Sequence, residues 1–357
     1  VFHQLNGFLG NPPFLHVLNH HFTVYMLNTT IRVSDDHNLF YPQFNNCNQD
    51  ASNHTSKRIC CNTSGILDNF YITIPQSLLY ICSAFSPIDN NPVDVYVPDI
   101  DTWCNIVAPQ NTGVFNFNKN LYVDGQLVTA LTIPYGVTKI NQYAFSRCQS
   151  ITTVAFPSTL TCIEQYAFNE CKNLERLRFP SSLETIQKYA FNECTSLSEL
   201  TFPSAVMMIE NNSFTKCNNI QRIYYDATDR TWTEMLATES NSTIRNAPRV
   251  EYYKVSDGSG YAISYIKYTD EEIQIPYVIN GLPVTEIAPN ALKDAPIVKL
   301  SIPASVKVIG DNAFNGCSSL TSVTIEEGSV LTKIGRAAFQ WCTKVNEIAI
   351  PDSVEEI

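Results

Sequence analysis

Three groups of side chains in this sequence are spaced as if for chemistry. His16, His20 and His21 could hold a metal, because residues four apart share a helix face. Cys148, Cys171, Cys194 and Cys217 recur at a constant interval of 23 residues, which raises a disulfide framework. Asp99 with Asp101, and Asp257-Gly258-Ser259-Gly260, offer the oxygens a calcium ion would use. Each fails on its surroundings. The histidines have no helical period around them and no cysteine or carboxylate at ligand spacing. The acidic stretches lack the spaced ligands and closing glutamate of a calcium loop. No nucleophile elbow, Gly-rich phosphate loop, zinc-protease helix or Cys-x-x-Cys pair occurs. All six histidines precede residue 55, which leaves the rest of the chain without the commonest general base. The reading expects a protein that is not an enzyme, with no catalytic residue, metal or cofactor.

The same 23-residue interval organises the chain. Pro134, Pro157, Pro180 and Pro203 keep it, as do Phe145, Phe168, Phe191 and Phe214, and Ile140, Ile163, Ile186 and Ile209. A period of this length marks a solenoid, in which each repeat buries its apolar face only against its neighbours. Val154-Ala155-Phe156, Leu177-Arg178-Phe179 and Leu200-Thr201-Phe202 alternate as half-buried strands do. The proline that follows each cannot donate to a ladder and turns the chain. The Tyr-Ala-Phe-x-x-Cys segment is too short for a full helix and is expected to form one helical or 3₁₀ turn. Successive coils should then stack at about 4.8 Å.

The run Ile140…Ala144-Phe145-Ser146-Arg147-Cys148…Ile151…Val154…Phe156-Pro157 resembles the BspA-like leucine-rich repeat, a repeat of bacterial and protist surface proteins. The resemblance covers about 131–225 and resumes over about 273–357, through Pro303, Phe314, Cys317, Leu320, Val323 and Ile325 and again through Phe339, Cys342, Val345, Ile348 and Pro351. In that second block Leu292 replaces the phenylalanine, and Asn280-Gly281-Leu282-Pro283 lengthens a turn. A degenerate unit reads Ile74-Pro75…Leu78…Ile81…Ala84-Phe85. The resemblance implies an α/β-type repeat solenoid, a right-handed superhelix of short parallel strands and short helical or 3₁₀ turns. It also implies a place at the cell surface or outside the cell, and an adhesive role toward host matrix or other surface proteins.

Two stretches break the interval in the same way. Val95-Tyr96-Val97 leads to Trp103, and Ile223-Tyr224-Tyr225 leads to Trp232; a polar loop and a new strand follow each. Each Trp is expected to pack a small helix against the solenoid. The domain reading is an unpatterned region over 1–70, a degenerate repeat with the first excursion over 71–130, regular repeats over 131–225, the second excursion over 226–272, and irregular then regular repeats over 273–357. The chain starts without methionine and stops mid-repeat, so it reads as a fragment of a longer one, with any leader or anchor outside it.

A formal charge of −11 argues against nucleic acid, which needs a basic stripe. No run of 18 apolar residues is present, so no membrane span is expected. Six cysteines occupy the repeat position, where parallel side chains rarely meet disulfide geometry, and are expected as free buried thiols. The state of Cys47, Cys60, Cys61, Cys82, Cys104 and Cys162 stays open. The sequons at Asn28, Asn53, Asn62, Asn211 and Asn241 would matter only in a eukaryotic secretory route.

The outward strand positions align across coils. One file reads Thr153, Arg176, Glu199, Arg222, and its neighbour Ala155, Arg178, Thr201, Tyr224. Arg176, Arg178, Arg222 and Tyr224 thus form the candidate ligand-binding patch, of residue types favoured at interfaces. The competing reading is a solvated ladder in which Glu199 neutralises both flanking arginines. A second file, Tyr143, Tyr166 and Tyr189, is expected mainly as structural stacking. Three functions remain open: protein binding or adhesion, an architectural spacer, and polysaccharide binding on the tyrosine file.

Overall fold

Alternation of apolar and polar residues builds the strands of this solenoid. Val154, Leu177, Leu200 and Ile223 point inward, and pair in register from coil to coil. The computed structural model describes residues 93–105, 118–229, 231–236, 241–267 and 271–357. It also describes the backbone of strands Leu15–Leu18, His21–Met26, Thr29–Ser34, Arg58–Ile59, Tyr71–Thr73 and Tyr80–Ile81. The first three of these form an antiparallel sheet. Arg58–Ile59 pairs in parallel with Tyr80–Ile81, and Tyr71–Thr73 with Val93–Val97. Parallel pairing therefore begins upstream of 71, in a stretch whose sequence shows no repeat. The remainder of the degenerate unit around Ala84-Phe85 lies outside the described residues.

Each regular coil has three tiers of hydrogen bonds to the next. The strand before the proline makes the first, as in Arg176↔Glu199↔Arg222. The strand after it makes the second, Lys139–Ile140, Cys162–Ile163, Thr185–Ile186 and Met208–Ile209. The third runs through the Tyr-Ala-Phe segment, where the expected helical or 3₁₀ turn is replaced by linked β-turns. Alternate amides there point to the neighbouring coil: Phe145 N–H donates to Ala167 O at 2.8 Å and Arg147 N–H to Asn169 O at 2.7 Å. The amides between them close local turns, Ala144 to Asn141 O and Ser146 to Tyr143 O. A helix would direct every amide along its own axis, so inter-coil bonding excludes one here. The alternation requires left-handed backbone at Tyr143 (φ 59°) and Arg147 (φ 57°), and at the same positions of the following coils.

Inside the stack Phe145, Phe168, Phe191 and Phe214 lie ring on ring at 5.2, 5.2 and 5.1 Å. The repeat cysteines are free thiols and do more than fill space. Cys171 Sγ–H donates to Phe145 O at 3.0 Å, Cys194 to Phe168 O at 3.2 Å and Cys217 to Phe191 O at 3.0 Å, each reaching the preceding coil. Cys317 and Cys342 repeat the contact in the second block. Cys104, Cys148 and Cys162 are also free, while Cys47, Cys60, Cys61 and Cys82 lie outside the described residues.

The two excursions close the ends of the first block. Trp103, on the Ile100–Asn105 helix, is buried and donates its indole N–H to Ala144 O at 3.0 Å. Lys119 is wholly buried beside it; its backbone N–H donates to Arg147 O and its Nζ to Ser146 O. Both satisfy carbonyls on the first regular coil. At the far end Asn241 Oδ1 accepts from Ser213 N–H at 3.1 Å, and its amide donates to Ile209 O and Glu210 O. That sequon asparagine is 2% exposed and serves as a cap. Trp232 packs edge-on against Phe202 and Tyr225, with the Arg249 guanidinium 4.8 Å above its ring.

Beyond the second excursion the sheet changes its course. Its main path runs Ala130–Thr132, Thr153–Ala155, Arg176–Arg178, Glu199–Phe202, Arg222–Asp226, Arg249–Lys254, Tyr261–Lys267, Leu282–Ile287, Val308–Ile309, Lys333–Ile334. In the first block this path uses the strand before the proline, and in the second the strand after it. The antiparallel pair Arg249–Lys254 and Tyr261–Lys267 makes the transfer. The second block's strands at the pre-proline position, Glu272–Gln274, Lys299–Ile302 and Ser322–Ile325, the last followed by Glu326 in place of proline, form a separate sheet. Two apolar clusters result, one from Val95 to Ala247 and one from Val250 to Cys342.

Candidate functional site

A flat, rigid strand face forms wherever a constant repeat aligns outward side chains. The register is Thr153↔Arg176↔Glu199↔Arg222, with Arg178↔Thr201↔Tyr224 beside it. Arg176, Arg178 and Arg222 are exposed. The inward residues between them, Leu177 and Ile223, are core. Glu199 is half-buried and makes no ion pair within 4 Å with either neighbouring arginine. The six ion pairs among the described residues lie elsewhere, so the neutralised ladder that the sequence allows is not formed by direct contact. Upstream the face flattens onto small exposed side chains, Ala130, Thr132, Thr153 and Ala155.

Tyr224 differs from the arginines. It is half-buried, packs against the second apolar cluster, and its Oη accepts from Arg222 Nη1 at 3.4 Å. It is a wall where the second block begins rather than a free aromatic anchor. Behind it Tyr252 is buried edge-on to Tyr261 at 4.8 Å, and its Oη accepts from Asn280 at 2.8 Å. Burial, with the Asp226 carboxylate nearby, pushes the Tyr252 phenol above its ordinary range. The sequence did not single out this corner, because it joins residues of both blocks across the β-hairpin transfer.

The tyrosine file stacks as expected, Tyr143 on Tyr166 at 4.8 Å and Tyr166 on Tyr189 at 5.0 Å, with planes within 7°. Together with Asn169, Asn192, Glu170 and Glu193 these rings border an open groove of about 580 Å³. Arg147 pairs with Glu170 at 2.8 Å and Lys216 with Glu193 at 2.5 Å. Both faces of Tyr166 are covered by its neighbours. Tyr166 therefore offers a sugar ring no open face, and only the outer faces of Tyr143 and Tyr189 lie outside this stack.

Among the described residues no three His, Cys, Asp or Glu converge as metal ligands. His16 and His21 fall on strands rather than a helix, with His16 opposite Thr23 and His21 opposite Leu18. Their side chains, and all of His20, lie outside the described residues. No helix among the described residues is long and apolar enough to cross a membrane.

Comparison with known proteins adds the following. A family model described as a BspA type leucine rich repeat region matches in six copies, over residues 116–240 and 284–357. Curated proteins give no match. Among solved structures, a leucine-rich repeat protein from Bacteroides capillosus is 31% identical over 29% of this chain and 79% of its own, with a TM-score of 0.27. A leucine rich cell surface protein from Faecalibacterium prausnitzii is 19% identical over 96% and 90%, with a TM-score of 0.30. The pneumococcal vaccine antigen PcpA is 18% identical over 94% and 77%, with a TM-score of 0.28.

Proposed function

Because the chain belongs to the BspA-type leucine-rich repeat family, we propose that it is a non-enzymatic binding module, secreted or held at the cell surface. It engages a protein partner, a host matrix protein or another surface protein, through the strand face bearing Arg176, Arg178 and Arg222 with Tyr224 at its margin. The observation that carries this reading is the pair Arg176 and Arg178, exposed on one face of a hydrogen-bonded sheet with no ion pair among the described residues. Arginine in that state is available for bidentate bonds to a partner's carboxylates. A right-handed superhelix is part of the proposal, on the general preference of parallel crossovers for that hand.

The spacer reading draws support from the sheet that runs unbroken through both blocks. Its surface should be indifferent to charge. The polysaccharide reading loses support at Tyr166, both of whose faces are covered. A charge swap separates them. Arg176→Glu with Arg178→Glu should abolish capture by a panel of purified extracellular-matrix proteins and leave the melting temperature within a few degrees, since both side chains are exposed. Unchanged capture by a folded double variant would remove this face from consideration, and no capture by the parent protein would favour the spacer.

A further inference from the structure

The spacing of the arginines also defines the chemistry of what lies on them. Arg176 and Arg178 stand two residues apart on one strand, both outward. Their Cα atoms are therefore about 6.6 Å apart, which is also the interval between alternate side chains of any extended chain. Arg222 lies two strands away, in register with Arg176 through Glu199. One edge of this surface is the low shelf of Ala130, Thr132, Thr153 and Ala155, where a backbone can approach. The other is the wall of Tyr224. Three exposed arginines thus share one face of a chain whose formal charge is −11.

We infer that this face takes an extended acidic peptide segment with carboxylates at alternate positions, one each for Arg176 and Arg178, its chain running along the Arg176–Arg178 strand. The inference rests on the protein-binding reading above and names the partner's chemistry. Commensurate spacing suits an extended peptide, whose alternate side chains fall at the same interval as the two arginines. Arginine's planar fork matches a carboxylate with two parallel bonds, so each position reads geometry as well as charge. Glu199 is the internal competitor. It stands between Arg176 and Arg222 without closing an ion pair, and lowers the potential at the centre of the face.

The test uses two synthetic peptides of equal charge, one alternating glutamate and threonine and one with its glutamates in a single block. Binding is measured by fluorescence anisotropy at low and physiological salt. The alternating peptide should bind the tighter of the two, and salt should weaken it. Its net repulsion from an acidic protein makes adventitious binding a poor explanation. Arg176→Gln with Arg178→Gln should weaken it by about tenfold or more, the loss expected for two charge-assisted contacts. Glu199→Gln should tighten it by roughly threefold, the size of a surface charge effect, and a gain cannot come from misfolding. The inference fails if the block peptide or a heparin oligosaccharide binds equally well, or if the arginine variant binds as the parent does. Should neither peptide bind while the glutamate swap still abolishes matrix capture, the acidic partner is wrong and the binding face stands.

Discussion

Replacing Phe191 by alanine should lower the unfolding free energy of the first block by about 4 kcal/mol. Phe191 is fully buried, stacked between Phe168 and Phe214 and edge-on to Phe179. Its loss opens a cavity in the middle of a one-dimensional stack, where each coil holds only its two neighbours in place. Relaxation is restricted, because the backbone on both sides is tied by inter-coil bonds such as Phe191 N–H to Ser213 O. Trp103 and Trp232 are buried in the same apolar cluster, while Trp341 in the second block is 67% exposed. Tryptophan fluorescence in a urea titration therefore reports the first block. Its midpoint should fall sharply for Phe191→Ala and little for Phe314→Ala, which sits in the second cluster. Equal shifts for both variants would mean that the two clusters unfold as one.

Alkali should destabilise the protein steeply, and the thiol ladder is the reason. Burial raises Cys148 to about 11 and Cys104 and Cys317 to about 12, from 9.0. It raises Cys171 and Cys194 as well. Below pH 9 each thiol is protonated in both states, and its contribution is fully present. Above that the unfolded chain releases protons that the folded chain keeps, so stability falls until the folded thiol itself titrates. Each fully buried thiol then costs about 1.4 kcal/mol per pH unit, and several act together. Lys119 works the other way. Burial lowers its ammonium below 10.5, so the folded state releases that proton first and gains stability as pH rises. Burial lowers Lys267 in the same way and raises Cys162 and Cys342 as well, and two lysines against seven thiols leave a net loss. Unfolding free energies from denaturant titrations under reducing conditions at pH 8 and pH 10 should differ by several kcal/mol. Alanine at Cys148, Cys171 and Cys194 should shrink the difference without removing it, because Cys104 and Cys317 remain, and a flat profile in the parent protein would refute the ladder's role.

The strand register was legible because a constant interval leaves no choice. Arg176, Glu199 and Arg222 share a file once the period is known, and alternation decides which side faces out. The turn was harder to read. Helical or 3₁₀ geometry suits Tyr-Ala-Phe-x-x-Cys locally, and only the neighbouring coil's carbonyls divert alternate amides away from it. A signal was present all the same. Asn212, Asn290 and Asn312 occupy the left-handed position of Tyr143, and Gly316 occupies that of Arg147. Asparagine and glycine are the residues that accept positive φ most readily. The sheet transfer had no local signature, because both blocks contain a strand on each side of the proline. Which strand continues the sheet is decided by a hairpin pairing far from either. The half-burial of Tyr224 was not legible for the same reason: the apolar wall that covers it belongs to the second block.

The claim that the arginine face is the docking surface is tested most directly by arginine footprinting. Phenylglyoxal would be applied to the folded protein alone and in complex with a captured matrix protein, and modified peptides quantified by mass spectrometry. Arg176, Arg178 and Arg222 should react freely alone and be protected in the complex, while the exposed Arg336 of the second block reacts equally in both. Protection of Arg336 with Arg176 and Arg178 still reactive would contradict the account and move the interface to the second block.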